Sequence, residues 1–213
     1  LACIICPKLQ ICSVFFFFQF EKSTILFNFE AILLNKMIKI ATLGNGCFWC
    51  TETIYRRLRG VLSVTPGYSG GTIKNPSYRE VCSGSTGHAE CVQVEYDKTQ
   101  IDFSSLLEIF FYTHDPTTLN KQGSDVGSQY RSAIFYHDEQ QFATAQDIIE
   151  SKATAFDHPI VTELTPFSVF YKAEMEHHDY YNLNPSQPYC RAVISPKVKK
   201  LITSHIQLLK EEL

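Results

Sequence analysis

Three groups of residues in this chain have the types and spacing to do chemistry together. The first is Gly44-Asn45-Gly46-Cys47-Phe48-Trp49-Cys50. Cys47 falls where the pattern predicts a strand and turn giving way to a helix. A helix N-terminus presents free N–H groups and positive potential, which favour thiolate over thiol. Glycines before it let the backbone approach a substrate closely. Phe48 and the only Trp, Trp49, follow the cysteine. Two large aromatics beside a reactive sulfur suggest an apolar slot for a small methyl-like group, although a packed core would use the same residues. Cys47 and Cys50 also form a CxxC pair, which reads as redox or metal chemistry.

The second group is Ser83-Gly84-Ser85-Thr86-Gly87-His88-Ala89-Glu90, where a carboxylate enters a strand beside a Gly-rich turn. If Glu90 points into an apolar pocket, burial keeps it protonated and makes it a general acid. If it sits at a strand edge, it is a surface carboxylate. The third group runs from Lys121 to Ser132 and is more polar than a connection needs. It supplies Asp125 and Tyr130 as hydrogen-bonding groups.

These groups require elements to hold them. Ile38–Leu43 alternates apolar and polar residues and predicts a half-buried strand. Phe48–Arg59 predicts a helix stopped by Gly60, and Val61–Thr65 a short strand before Pro66-Gly67. A Gly-, Tyr- and Pro-rich loop follows from Tyr68 to Tyr78. Glu90–Tyr96 predicts a strand and Phe103–Thr113 a helix opened by Asp102, ending at the His114-Asp115-Pro116 breaker. After the polar loop Leu119–Tyr130 come a strand at Arg131–Tyr136 and a long helix, Asp138–Ala155, capped by Asp138. Ile160–Leu164 and Ser168–Tyr171 predict strands interrupted by Pro166. Lys172–Leu183 is polar and partly helical, and Pro196–Glu212 is a terminal amphipathic helix. Helices and strands mix without strict alternation, so one α+β domain is expected.

Lys and Arg number 19 against 22 Asp and Glu, a net charge of −3. That leaves no global basic field for a nucleic acid or an anionic membrane. Eight cysteines (Cys3, Cys6, Cys12, Cys47, Cys50, Cys82, Cys91 and Cys190) would suit a disulfide framework. Such scaffolds are small and core-poor, unlike this chain. A zinc module on Cys47, Cys50, Cys82 and Cys91 is an alternative, but only the first pair has the spacing of a zinc hook. No metal site is therefore expected. A general dithiol–disulfide module on the CxxC pair is another alternative, but it calls for a βαβ thioredoxin pattern that the sequence does not show. Residues 1–36 lack the features of a signal peptide, and Ile11–Phe20 is too short to span a bilayer. Met37 is the expected start, making 1–36 a non-native or disordered extension and 37–213 the catalytic domain. A membrane anchor or leader is the alternative for the first segment.

GCFWC, Gly67-Tyr68-Ser69-Gly70-Gly71, Asn75-Pro76-Ser77-Tyr78, the GHAE segment, His114-Asp115-Pro116-Thr117 and QGSDVGSQYRS occur in the same order in another group of proteins. In them the chain resembles the type A peptide methionine sulfoxide reductases, specific for the S epimer, from Met37 to about Lys200. The resemblance implies a two-layer α+β sandwich with a mixed, mostly antiparallel sheet, packed helices and a ferredoxin-like core. It implies that Cys47 is the nucleophile, that Phe48 and Trp49 hold the substrate methyl group, and that Glu90 protonates the sulfoxide oxygen. Tyr78 and Tyr130 would hydrogen-bond that oxygen, and Asp125 would line the pocket.

The implied product is methionine plus a Cys47 sulfenic acid. A second thiol would convert the acid to a disulfide, to be reduced by thioredoxin or, in vitro, by dithiothreitol. A cytoplasmic monomer with no bound cofactor is expected, acting on oxidised proteins or free methionine sulfoxide. Two departures stand out. Glu176-His177-His178 replaces a Tyr-His-Gln sequence, and the C-terminus is a charged helix where many members have a glycine-rich tail with cysteines. The resolving thiol is expected to be Cys190, in a Pro-rich segment without predicted regular structure, with Cys50 as close rival. Cys82 and Cys91 read as inert buried cysteines.

Overall fold

The alternation at Ile38 does give a strand, β1 (Ile38–Asn45), whose last five residues are all buried. This computed structural model describes residues 37–211; the expectations for 1–36 lie outside them, as do Cys3, Cys6 and Cys12. After β1 come α1 (Phe48–Tyr55), β2 (Val61–Ser69), α2 (Tyr78–Cys82), β3 (Ala89–Asp97) and α3 (Phe103–Thr113). A two-residue hairpin, β4 (Lys121–Gln122) and β5 (Asp125–Val126), leads to β6 (Ser132–Tyr136) and α4 (Glu139–Lys152). Then follow β7 (Glu163–Pro166), β8 (Phe170–Lys172), α5 (Tyr180–Leu183), a π-helical turn at Cys190–Ile194 and α6 (Ser195–His205).

Six strands form one sheet in the order β7-β6-β1-β3-β2-β8. β2 runs antiparallel to β3 and β8, β1 antiparallel to β6, and β6 parallel to β7. This is the mixed sheet with packed helices that the α+β expectation required. Asp102 and Asp138 act as the expected N-caps, each accepting a backbone N–H, from Ser105 at 2.7 Å and Gln141 at 2.8 Å.

Several boundaries move. β2 continues through Pro66 to Ser69, because β8 pairs only with Gly67–Ser69 and Pro66 needs to donate no bond on that side. The first predicted helix stops at Tyr55, and the last at His205 before a 3-10 turn, Ile206–Leu208. The strand placed at Ile160–Leu164 lies later, at Glu163–Pro166, where it reaches register with β6. The short helix α2 was not predicted; it begins at Tyr78, where the predicted loop ends, and owes its start to a capping box between Ser77 and Glu80. Among the described residues no helix is long and apolar enough to cross a membrane.

The period of two in β3 sorts its side chains onto two faces. Val92 and Val94 join the main core with Phe48, Ile54, Tyr55 and the apolar side of α3. Ala89 and Cys91 point the other way, into a smaller cluster with Ala133 and Phe135. Glu90, in phase with Val92, thereby enters the main core face.

The breaker His114 becomes a buried tie between layers. Its Nδ1 lies 2.6 Å from the Phe110 carbonyl and its Nε2 2.8 Å from Ser132 Oγ, which contacts Thr162 Oγ1 at 2.7 Å. Burial lowers its pKa to about 4, so the folded ring is neutral. Its unfolded value is near 6.5, so between those values the unfolded chain binds more protons. Stability should therefore be lost as pH falls from about 6.5 towards 4. Denaturant titrations across that range check this; His114→Gln should show a flatter pH dependence.

Candidate active site

Gly46 makes the turn that places Cys47. Its φ is +92°, and a Cβ there would lie 2.6 Å from Gln122 Cγ, so a side chain is excluded both by conformation and by space. Cys47 is the residue immediately before α1, and its carbonyl accepts N–H bonds from Cys50 and Thr51. The Thr51 hydroxyl bonds Asn45 Oδ1 and the same Cys47 carbonyl, locking the strand-to-helix corner.

Glu90 faces this corner and is 1% exposed. Its Oε2 accepts the Phe48 N–H at 3.0 Å. Burial pushes its carboxyl well above the usual carboxylate range; the nearby Cys47 adds to this, and the Phe48 bond opposes it. One hydrogen bond to a charged carboxylate contributes about 1.5–3 kcal/mol, whereas burying a bare carboxylate costs several. Burial wins, and it favours the protonated form of Glu90. With Oε2 accepting from Phe48, Oε1 is the oxygen free to carry the proton.

Cys47 departs from the expectation of a ready thiolate. Burial pushes its thiol up, and its neighbour Cys50 reinforces this. The helix N-terminus offers only about 0.3–1 kcal/mol in the other direction, too little for a sulfur only 7% exposed. A hydrogen bond from Cys47 lowers the Cys50 thiol against the opposing burial. The two CxxC thiols are thus shifted in opposite directions, Cys47 up and Cys50 down.

Aromatic side chains form the wall beside these sulfurs. Phe48 stacks with Tyr78 at 6.2 Å and lies 5.8 Å from Tyr68, centroid to centroid. Trp49 stacks face to face on Tyr180 at 3.8 Å, and its Nε1–H donates to His177 Nδ1 at 3.3 Å. His177 also packs on Tyr78 at 4.3 Å. Glu174 anchors this wall, accepting the Tyr78 N–H at 2.8 Å and the Tyr68 hydroxyl at 3.0 Å. Tyr189 reaches in from the C-terminal segment. Its hydroxyl donates to Asp125 Oδ2 at 2.6 Å and lies 3.9 Å from Cys50 Sγ, while its ring meets Trp49 edge-on. Burial pushes the Tyr78 and Tyr130 hydroxyls up, and Glu90 contributes to both, so they remain proton donors.

The fold therefore brings Cys47, Phe48, Trp49, Cys50, Tyr78, Glu90, Asp125 and Tyr130 to one place. Cys190 requires correction. It is neither in an irregular segment nor exposed: it begins the π-helical turn, is fully buried, and its carbonyl accepts the Ser195 hydroxyl at 3.0 Å. The apolar residues Ile194, Val198 and Leu201, spaced along the turn and α6, draw it into the core. Cys91 is buried on the opposite sheet face from Glu90, so the four-cysteine zinc arrangement does not assemble. Among the described residues no group of three or more His, Cys, Asp or Glu is placed to hold a metal ion. Sequence reasoning missed Tyr68, Glu174, His177, Tyr180 and Tyr189. The aromatic density of Tyr180, Tyr181 and Tyr189 was the only local signal for the last part of the wall.

A buried acid facing a helix-start cysteine, walled by aromatics, suits attack by sulfur on a small, weakly electrophilic group that must be protonated first. The family model described as "Peptide methionine sulfoxide reductase" matches residues 39–209. The peptide methionine sulfoxide reductase MsrA of Saccharolobus solfataricus is 56% identical over 165 residues, covering 78% of this chain and 93% of that one. The MsrA of Thermus thermophilus is 49% identical over 172 residues, covering 81% and 98%. Among solved structures, methionine sulfoxide reductase A of Corynebacterium diphtheriae superposes with a TM-score of 0.69 at 37% identity, covering 71% and 77% of the two chains. Reduced Mxr1 from Saccharomyces cerevisiae gives 0.68 at 36% identity, covering 73% and 90%. The chain belongs to the type A peptide methionine sulfoxide reductases, enzymes that reduce methionine sulfoxide at the expense of thiols.

Proposed function

We propose that Cys47 and Glu90 carry the reduction of the S epimer of methionine sulfoxide and that Cys50 completes it. The substrate methyl group sits against Phe48 and Trp49, and its oxygen is held by the hydroxyls of Tyr78 and Tyr130. Glu90 gives its proton to the sulfoxide oxygen, which makes the sulfur electrophilic. Cys47 bonds to that sulfur as its own proton leaves and restores the Glu90 carboxyl. The oxygen passes to Cys47, giving methionine and Cys47 sulfenic acid; sulfur of the substrate is reduced and sulfur of Cys47 oxidised by two electrons. Asp125 holds Tyr189 in place over the sulfurs.

What supports the second half is the CxxC spacing, which sets Cys50 one helical turn beyond Cys47 at the start of α1, its N–H bonded to the Cys47 carbonyl at 3.1 Å. The Cys50 thiol attacks the sulfenic acid, a disulfide forms and water leaves. A dithiol reductant of the thioredoxin class then returns both thiols. Cys190 is buried within the packing of its π-helical turn and lies outside the CxxC turn.

Single-turnover oxidation with excess sulfoxide and no reductant tests this. One methionine should form per chain, and peptide mapping should find a Cys47–Cys50 disulfide. Cys50→Ser should still make one methionine but accumulate a sulfenic acid trapped by dimedone, with thioredoxin-dependent turnover down roughly tenfold or more. Cys190→Ser should keep turnover within about twofold, as a thiol outside the exchange does. A Cys47–Cys190 link would reverse the assignment.

A further inference from the structure

One buried charge has no part in the thiol chemistry. Glu52 lies on α1 two residues beyond Cys50, and its side chain is 1% exposed. Burying a carboxylate is costly, so its partners show what it does. Both of its oxygens accept the backbone N–H of Asp179, each at 2.9 Å. Oε1 also takes Arg56 Nη1 at 3.2 Å, and Arg56 Nε lies 3.7 Å from Asp179 Oδ1. Burial pushes the Glu52 carboxyl up, and the Asp179 bond and Arg56 pull it back.

Asp179 is held with φ +53°, a left-handed conformation that a non-glycine residue adopts only at some cost. The kink it makes separates His177 from Tyr180. Those two residues grip Trp49, one by a hydrogen bond and the other by face-to-face stacking. Trp49 is one turn before Glu52 on the same helix. The helix therefore holds the 177–180 segment twice: Glu52 takes its backbone at the kink, and Trp49 sits between the side chains on either side.

We infer that Glu52 is a positioning residue for substrate: by fixing the Asp179 kink, its carboxylate sets the His177–Trp49–Tyr180 stack that forms the methyl-binding wall. The inference rests on Trp49 being that wall. Glu52 acts on binding, through Trp49, and touches neither the sulfurs nor the acid.

Trp49 is the only tryptophan, so its emission reports this stack alone. The test uses the full chain with a methionine sulfoxide peptide and dithiothreitol, reading KM, kcat and tryptophan emission. Glu52→Ala should raise KM roughly tenfold, change kcat less than about threefold, and shift the emission to the red as Trp49 loosens. Glu52→Gln keeps one oxygen for the Asp179 N–H and should rescue most of the effect, with KM up about threefold and a smaller shift. Wild-type KM and emission in a folded Glu52→Ala overturn the inference, as does a fall in kcat alone. Should Glu52→Ala not fold, Glu52→Gln decides by the same two readings: wild-type values for both overturn it. If the unaltered chain does not reduce the sulfoxide, the family activity has failed and not the role of Glu52.

Discussion

Replacing Cys47 by serine should leave less than about one-thousandth of the wild-type turnover, the scale on which enzymes lose activity with their nucleophile. The hydroxyl fits the same corner: Gly46, Asn45 and Thr51 hold the backbone there without using the sulfur. What is lost is chemical. A hydroxyl is a far weaker nucleophile than a thiol and cannot pass through a sulfenic acid. Substrate affinity should change little, because Phe48, Trp49 and the tyrosines remain. Steady-state assay and equilibrium binding on Cys47→Ser check both parts. Turnover near wild type would make Cys50 the nucleophile.

Glu90→Gln should slow the reductase step by roughly 10²–10⁴-fold, the usual contribution of a positioned acid. The amide keeps the shape and still accepts the Phe48 N–H, but it has no labile proton to give. Rapid-mixing measurement of the first turnover separates this step from recycling. The same substitution has an opposite effect on stability. Burial raises the Glu90 pKa, so the folded protein's advantage is full below the ordinary carboxylate pKa and is lost as pH rises through the raised value. Glutamine carries no such dependence. The Tm of Glu90→Gln should therefore gain on wild type as pH rises from 5 to 8, while activity falls. A Tm difference independent of pH would mean that Glu90 is ionised in the folded protein.

The parts of the site that could be read in advance are those made by local pattern. GNGC at a strand end demands a turn and a helix start, and φ +92° at Gly46 is that demand met. The alternation through Glu90–Tyr96 puts Glu90 on the face of Val92 and Val94, but the sequence leaves a surface carboxylate at the strand edge open, and only the folded sheet shows that face to be buried. Asp102 and Asp138 announced their helices by capping.

The parts that could not be read are made across distance. Trp49 meets His177, 128 residues further along the chain, and no local spacing encodes that bond. Tyr189 reaches the sulfurs only because the π-helical turn and α6 carry its segment back across α1. The same tertiary packing explains Cys190: prolines at 185 and 188 suggest a mobile strand of chain, but Ile194, Val198 and Leu201 bury its end. The thiol state of Cys47 was misjudged because helix polarity is visible in sequence and burial is not.

Assay of the two separated epimers of a methionine sulfoxide peptide, with dithiothreitol as reductant, tests the central claim most directly. With the methyl group taken by Phe48 and Trp49 and the oxygen by Glu90 and the hydroxyls of Tyr78 and Tyr130, as proposed, the site distinguishes one arrangement about the sulfur from its mirror image. The S epimer should be converted to methionine and the R epimer left intact; equal rates on both, or reduction of R alone, would contradict the account.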